Sequence, residues 1–154
     1  MGIAEEIKVK RFRNEWHEAT VNIVYTSNWI TKELERRANK KSITLQQFNV
    51  LRILRGQYPN SATNLLIKER MITDSADISR LIDRLVIKEL VEKNKSKIDK
   101  RSVNVTITEK GLSLLDDIEN DMTLMDFLPQ QITEEEAKTL SILLDKLRKD
   151  VDHP

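Results

Sequence analysis

The chain has 154 residues, 39% of them hydrophobic and 33% charged, with no cysteine, two histidines and three glycines. That is enough chain to bury one core without covalent staples, and it excludes a disulfide framework, a thiolate zinc site and a thiol redox switch. His17 and His153 lie far apart, and Gly2, Gly56 and Gly111 are scattered. His-based catalysis, a metal centre and a glycine-rich phosphate loop are therefore poorly supplied, and no cofactor is expected. No stretch approaches the roughly 20 apolar residues of a membrane span, and the N-terminus lacks the apolar run of a secretory signal. The expectation is a cytoplasmic protein with no membrane partner.

The net charge of +1 hides an asymmetry. Residues 1–101 carry 21 basic and 13 acidic side chains, a net of +8, whereas residues 102–154 carry 5 and 12, a net of −7. The densest basic run is Arg80 to Arg101, with eight basic residues against four acidic. A basic middle and an acidic tail are the footprint of a polyanion-binding surface, or simply an unevenly charged solvated one.

In chain order, segment 4–40 reads as one long helix, with Phe12, Trp16, Ala19, Ile23, Thr26, Ile30 and Leu34 in phase, and Tyr25 and Trp29 on a neighbouring stripe. At 1.5 Å per residue such a helix would be about 50 Å long, longer than a small domain is wide. Part of it is therefore expected to pack on a second subunit. Thr44 and Gln47 have the spacing of a capping box and open a helix to about Tyr58, with Phe48, Leu51, Ile53 and Leu54 as its apolar set. Tyr58-Pro59-Asn60-Ser61 is a turn, and a short helix over about 62–70 follows. Thr73-Asp74 offers the next cap, for a helix over about 75–88 that buries Ile78, Leu81, Ile82 and Leu85 and leaves Ser75, Asp77, Ser79, Arg80 and Arg84 on the other side.

Two strands come next, one starting at Leu90-Val91-Glu92-Lys93 and one over 102–107, where Val103, Val105 and Ile107 alternate. The basic loop Lys95 to Arg101 joins them. Thr108 caps a helix over about 109–127 with Leu112, Leu115, Ile118 and Met122 in phase, and Pro129 breaks it. Thr133 and Glu136 form a third capping pair, here opening a helix whose Ala137, Leu140, Leu144, Leu147 and Val151 make a seam about two heptads long. The fold class is mainly α with a small β-hairpin: a winged helix-turn-helix with flanking N- and C-terminal dimerisation helices.

The stretch Arg80 to Lys93, followed by Asp99 to Gly111, resembles the MarR family of bacterial transcription regulators. The carrying pattern is Asp99 and Arg101 at the hairpin tip, then a strand, then Thr108-x-x-Gly111 opening a helix. The likeness in motif runs from about 42 to 115, and in element order it covers nearly the whole chain. It implies an obligate homodimer that binds pseudo-palindromic double-stranded DNA, usually under the control of a small-molecule effector. It divides the chain into an N-terminal dimerisation helix (1–41), a DNA-binding lobe (42–110) and C-terminal dimerisation helices (111–154). The recognition helix at about 75–88 would enter the major groove and the wing at about 94–101 the minor groove. Two positions depart from the pattern. Glu89 stands where the family has glycine at the end of the recognition helix, so it must either take a left-handed conformation at some cost or let the helix end differently. Asp77 stands where a small neutral residue is common. It would repel phosphates, accept from a cytosine amino group or join the helix cap.

The DNA-contact residues this reading names are Ser75, Asp77, Ser79, Arg80, Arg84, Lys95, Lys97, Asp99 and Arg101. Arg101 is planar, always charged and suited to a narrow A·T-rich minor groove, with Asp99 holding its fork. The plainer alternative is an ordinary hairpin ion pair worth less than about 1 kcal/mol. Arg80 and Arg84 lie one turn apart and can face a groove, or sit in solvent as Asp77/Arg80 and Arg80/Asp83 pairs. Ser75 and Ser79 can bond phosphates or base edges. Lys93, Lys95, Lys97 and Lys100 add sequence-independent phosphate attraction. Trp16, His17, Tyr25, Trp29, Arg52 and Arg55 are candidates for an effector pocket, with core or dimer packing the stronger reading for the two tryptophans. Glu134-Glu135-Glu136 is the only acidic cluster an enzyme could use, and the capping box already explains Glu136. The chain thus reads as no enzyme but a transcription regulator, in the form of a repressor. The alternative is a winged-helix protein-interaction module with little DNA affinity, favoured by Asp77 and the near-neutral net charge.

Overall fold

The computed structural model describes residues 1–74, 77–99, 101–120 and 128–149. Its N-terminal part corrects the single helix expected over 4–40. A short helix α1 (Ile3–Glu6) ends where Lys8 takes a left-handed φ of 56°, with Val9 N–H donating to the Ala4 carbonyl at 3.0 Å. Helix α2 (Glu15–Asn39) then starts afresh, because the Asn14 side chain accepts from His17 N–H at 2.9 Å and Glu15 and Glu18 complement the positive helix end. Phe12 therefore lies outside the helix and leaves the stripe. Its ring meets the His17 ring edge-on at 5.5 Å.

The central lobe follows the expected order. Helix α3 (Leu45–Gln57) opens on the Thr44/Gln47 capping box with both reciprocal bonds made. After the Tyr58-Pro59 turn comes a strand too short for any alternation to betray it, β1 (Ala62–Thr63). Thr63 caps helix α4 (Asn64–Arg70), accepting from Leu66 N–H at 3.2 Å. Helix α5 (Ile78–Ile87) starts three residues later than expected. Its N-cap is Asp77, whose carboxylate accepts from Arg80 N–H at 2.9 Å. Strands β2 (Val91–Lys95) and β3 (Val103–Ile107) form the hairpin, with Val91 opposite Ile107 and Lys95 opposite Val103. Strand β1 adds to β3, giving the antiparallel order β1-β3-β2.

Apolar side chains from every one of these elements close one core. Val50, Leu51 and Leu54 of α3, Ile67 of α4, Ile82 and Leu85 of α5, and Val91 and Val105 of the hairpin are all but inaccessible. Leu34 and Ala38 from the end of α2, and Leu115 and Ile118 of helix α6 (Glu109–Asn120), join them.

Helix α5 ends in a Schellman arrangement. Leu90 N–H donates to the Leu85 carbonyl at 3.0 Å and Glu89 N–H to that of Val86 at 2.9 Å, which requires Glu89 to take φ 60°. Glu89 thus adopts the left-handed conformation that costs a residue with a Cβ roughly 1–2 kcal/mol. Glu89→Gly relieves this and gives back part of it as unfolded-chain entropy. The expected result is a net stabilisation of about 0.5–1 kcal/mol, seen as a higher urea midpoint at unchanged slope. The exposed Glu89–Lys110 contact at 3.4 Å that is lost weighs little.

Beyond α6, a 3-10 turn (Leu128–Gln130) leads to helix α7 (Glu134–Leu147), capped by Thr133. No residue of α7 is buried, and Leu140, Ile142, Leu143 and Leu147 are all exposed. Helix α2 likewise leaves Trp16 79% and Trp29 49% exposed, together with Val24. Met122 and Val151, expected in the apolar stripes of these last helices, lie outside the described residues.

Candidate nucleic-acid interface

Helices α4 and α5 form a helix-turn-helix, and the β2–β3 hairpin stands beside it as a wing. Three contacts fix their relative placement. Asn64, the first residue of α4, donates from Nδ2 to Ser79 Oγ at 3.2 Å. Lys93 of β2 holds Asp83 of α5 at 2.5 Å. Thr108 donates its hydroxyl to the Glu89 carbonyl at 2.8 Å and accepts from Gly111 N–H at 3.1 Å, so the end of α5 is tied to the start of α6.

The expected site residues fall into two groups. Arg80 and Arg84 are both exposed on α5. Arg80 lies 3.7 Å from Asp77, and no carboxylate among the described residues lies within ion-pair distance of Arg84. The expected Arg80/Asp83 pair gives way to Lys93–Asp83, which removes Lys93 from the set of unengaged phosphate-seeking lysines. Ser79 is exposed but already shares its hydroxyl with Asn64. Asp77 caps the helix N-terminus, where the first four N–H groups lack intrahelical partners. Ser75 and Lys100 lie outside the described residues.

On the wing, Lys95, Lys97, Asp99 and Arg101 are all exposed. Asp99 does not grip the Arg101 guanidinium as the spacing suggested. Its Oδ1 accepts from the Arg101 backbone N–H at 2.9 Å. Ser96 Oγ accepts from the backbone N–H groups of Ile98 and Asp99 at 3.2 and 3.3 Å. The carboxylate therefore shapes the loop rather than the arginine fork, whose charge has no acidic partner among the described residues. A two-residue Asp-x-Arg spacing suits either bond, and only the turn geometry selects between them.

A cleft of about 780 Å³ opens between α2, α3 and α7, next to the segment that leads into α5. Of the six pocket candidates only Arg52 lines it. Trp16, His17, Tyr25, Trp29 and Arg55 do not. His17 belongs to the capped start of α2, its Nδ1 accepting from Arg13 N–H at 3.3 Å. Hydrogen bonding to Glu6 raises the Tyr25 phenol above its ordinary pKa. Arg55 pairs with Glu119 of α6 at 2.6 Å. The walls are mostly apolar, with Ile23, Ile30, Leu34, Phe48, Leu140 and Leu144 among them. Asn49, one turn before Arg52, escaped the sequence reading because a polar residue inside an apolar helix face carries no pattern of its own. It is 5% exposed, and among the described residues its Oδ1 has no hydrogen-bond partner.

Of the acidic cluster Glu134-Glu135-Glu136, the last residue serves as a cap. Thr133 donates from its backbone N–H to Glu136 at 2.8 Å, and that bond, with a second from the hydroxyl, holds the Glu136 carboxyl below its usual value. A carboxylate so depressed is a cap, not a proton donor at neutral pH. Among the described residues no three His, Asp or Glu side chains converge as a metal site, and no helix is long and apolar enough to cross a membrane.

Fold and site together define a winged-helix transcriptional regulator. Residues 32–118 match the family described as transcriptional regulator SarA/Rot, and the chain belongs to that family. It is 28% identical over 121 residues to the HTH-type transcriptional regulator MhqR of Bacillus subtilis, covering 77% of this chain and 81% of that one. To the HTH-type transcriptional repressor NicR of Pseudomonas putida it is 34% identical over 86 residues, 56% of this chain and 53% of the other. Its structure is similar to that of a mutant MarR from E. coli complexed with operator DNA, at a TM-score of 0.74 and 27% identity, covering 90% and 99% of the two chains. The resemblance to MarR regulators thus holds in both sequence and fold, and such regulators are not enzymes.

Proposed function

We propose that the chain is a homodimeric, cytoplasmic repressor that binds pseudo-palindromic duplex DNA and responds to a small molecule. The observation that carries it is the wing braced on the recognition helix by Lys93–Asp83, with Arg84 and Arg101 exposed on α5 and the hairpin tip and without an acidic partner among the described residues. Helix α5 enters the major groove, with Arg80 and Arg84 reaching bases or phosphates and Ser79 near its start. Arg101 enters the minor groove, with Lys95 and Lys97 over phosphates and Asp99 shaping the loop. Residues 42–110 are the DNA-binding lobe, and the helices on either side of it are the dimerisation elements. Asp77, the residue that most favoured a protein-interaction module, has a structural use as the N-cap of α5.

Selection of bound fragments from random duplex DNA tests this reading and yields the site. With that site, log affinity is expected to fall steeply and linearly with log salt. Neutralising Glu134 and Glu135 of the acidic segment is expected to leave the slope unchanged. A flat salt response in direct titration contradicts the DNA reading.

Dimerisation follows from the apolar faces that α2 and α7 leave uncovered, which gain about 25 cal/mol per Å² once a partner buries them. Sedimentation at low micromolar concentration is expected to give about 36 kDa, twice the 18.0 kDa chain. A monomer there removes the reason for a two-fold DNA site. The effector belongs in the cleft, where Arg52 suits an anionic group on an otherwise apolar molecule. Ile72 and Thr73 of its wall lead into α5, giving a ligand there a route to the recognition helix.

A further inference from the structure

We propose that Ile98 is the apolar tip of the wing and is buried in the minor groove of the bound duplex, where its packing on deoxyribose walls and base edges supplies affinity and base preference that the arginine alone does not. The inference rests on the reading that the wing enters that groove.

Ile98 is 99% exposed at the hairpin tip. It contributes nothing to the core, since the hairpin is anchored by Val91, Val105 and Ile107. Nor is it needed to make the turn. Ser96 Oγ accepts from its N–H, Asp99 Oδ1 accepts from Arg101 N–H, and the Asp99 carbonyl accepts from Ser102 N–H at 3.1 Å. Ser96 N–H closes the loop onto the Ser102 carbonyl at 3.0 Å. These bonds shape the described part of the loop without help from the Ile98 side chain, which is left outward. A β-branched side chain has little rotamer freedom left to lose when a partner covers it.

Around this apolar centre the sequence sets Lys95, Lys97 and Arg101. A cationic rim on an apolar point matches a surface whose charged rows flank an apolar-walled furrow, which is the minor groove with its two phosphate rows. An anionic lipid surface shares that chemistry. The hairpin is carried by the helix-turn-helix lobe through Lys93–Asp83, which favours the duplex. Isoleucine is among the residues that minor-groove proteins press against base steps. The guanine N2 amino group stands on that groove floor and A·T pairs lack it, so an apolar tip disfavours G·C beneath it.

The test is equilibrium binding of the parent protein, Ile98→Ala and Ile98→Lys to the selected duplex at several salt concentrations. A second duplex carries G·C in place of A·T under the wing. Ile98→Ala removes no charge, so binding is expected to weaken about tenfold with the salt slope unchanged, two tips being lost per dimer. The G·C exchange is expected to weaken the parent more than it weakens Ile98→Ala. Ile98→Lys decides most sharply: it adds a cation, so a purely electrostatic arm would bind more tightly, whereas loss of the apolar contact weakens binding despite the added charge. Ile98→Ala binding like the parent, or Ile98→Lys binding more tightly, overturns the inference and leaves the proposed function standing. Loss of retention on phosphatidylserine vesicles with unchanged duplex binding overturns it in favour of a membrane. A parent protein that selects no duplex overturns the proposed function and this inference together.

Discussion

Replacing Arg101 by alanine is expected to weaken operator binding by well over tenfold while the protein stays folded. The side chain is exposed, its guanidinium has no acidic partner among the described residues, and only its backbone N–H serves the loop, through Asp99. Truncation keeps that backbone bond and removes no core volume, so the change in folding stability is expected to stay within about 0.5 kcal/mol. A dimer presents two wings, and at about 1–3 kcal/mol per lost contact the effect on binding is doubled in free energy. Asp99→Ala acts differently from what an Asp–Arg ion pair would imply. It releases the Arg101 backbone N–H, so the loop loosens and binding weakens less than for Arg101→Ala, with the full charge still present. Lys97→Ala is expected to matter least, because neighbouring lysines supply the same point charge. Equilibrium binding of the three variants to the selected site, with thermal melts as folding controls, checks the order. Arg101→Ala binding like the parent while Lys97→Ala does not would reduce the wing to a solvated basic loop.

Gly111→Ala is expected to be the most damaging small substitution in the lobe. The Gly111 backbone has no unusual φ. The demand is one of space: a Cβ there would stand 2.4 Å from the Leu90 carbonyl oxygen and 2.7 Å from Ile107 Cγ1. The Leu90 carbonyl cannot retreat, because it accepts from Thr108 N–H at 3.1 Å, and Leu90 N–H is itself held by Leu85. Making room therefore means separating α6 from the end of α5 and from β3. Overpacking of this kind costs about 1–3 kcal/mol, and a drop of several degrees in melting temperature is expected. Gly56 is the control: a Cβ there meets nothing within 4 Å, and Gly56→Ala in the last turn of α3 is expected to be neutral or mildly stabilising. Equal melting temperatures for Gly111→Ala and the parent would contradict the account.

The same contacts give physical content to the motif that carried the resemblance. Thr108-x-x-Gly111 is a clasp: one hydroxyl accepts from Gly111 N–H and donates to the Glu89 carbonyl, and the missing Cβ lets α6 sit on Leu90. It sets where the recognition helix ends relative to the wing. Glu89 beside it shows how a departure from the pattern is absorbed. The hydrogen bonds that end α5 and the packing of Leu90 outweigh the cost of a left-handed glutamate.

Local rules were enough for much of the fold. The caps at Thr44 and Thr133 and the hairpin alternation of Val103, Val105 and Ile107 each depend on residues a few positions apart, so each could be read in the sequence and stands in the structure. The exposed cations of α5 and the wing were legible for the same reason. Local rules misled where two competed. The in-phase apolar stripe over 4–40 carries no sign of the break that the Asn14 cap makes. Thr73-Asp74 has the expected cap position for a helix from 75, whereas Asp77 makes the cap of α5. What remained belonged to contacts between residues far apart in the chain. The pairing of β1 with β3, the choice of Lys93 over Arg80 as the partner of Asp83, and the hydrogen bond that takes up Ser79 are of this kind. So is the gathering of Asn49 and Arg52 with α2 and α7 around one cleft. In this protein periodicity and capping determined most of the elements and their order, because those depend on neighbours along the chain. Which polar groups stay unengaged for a ligand or for DNA was decided by tertiary structure, because an ion pair or hydrogen bond goes to whichever partner packing brings within reach.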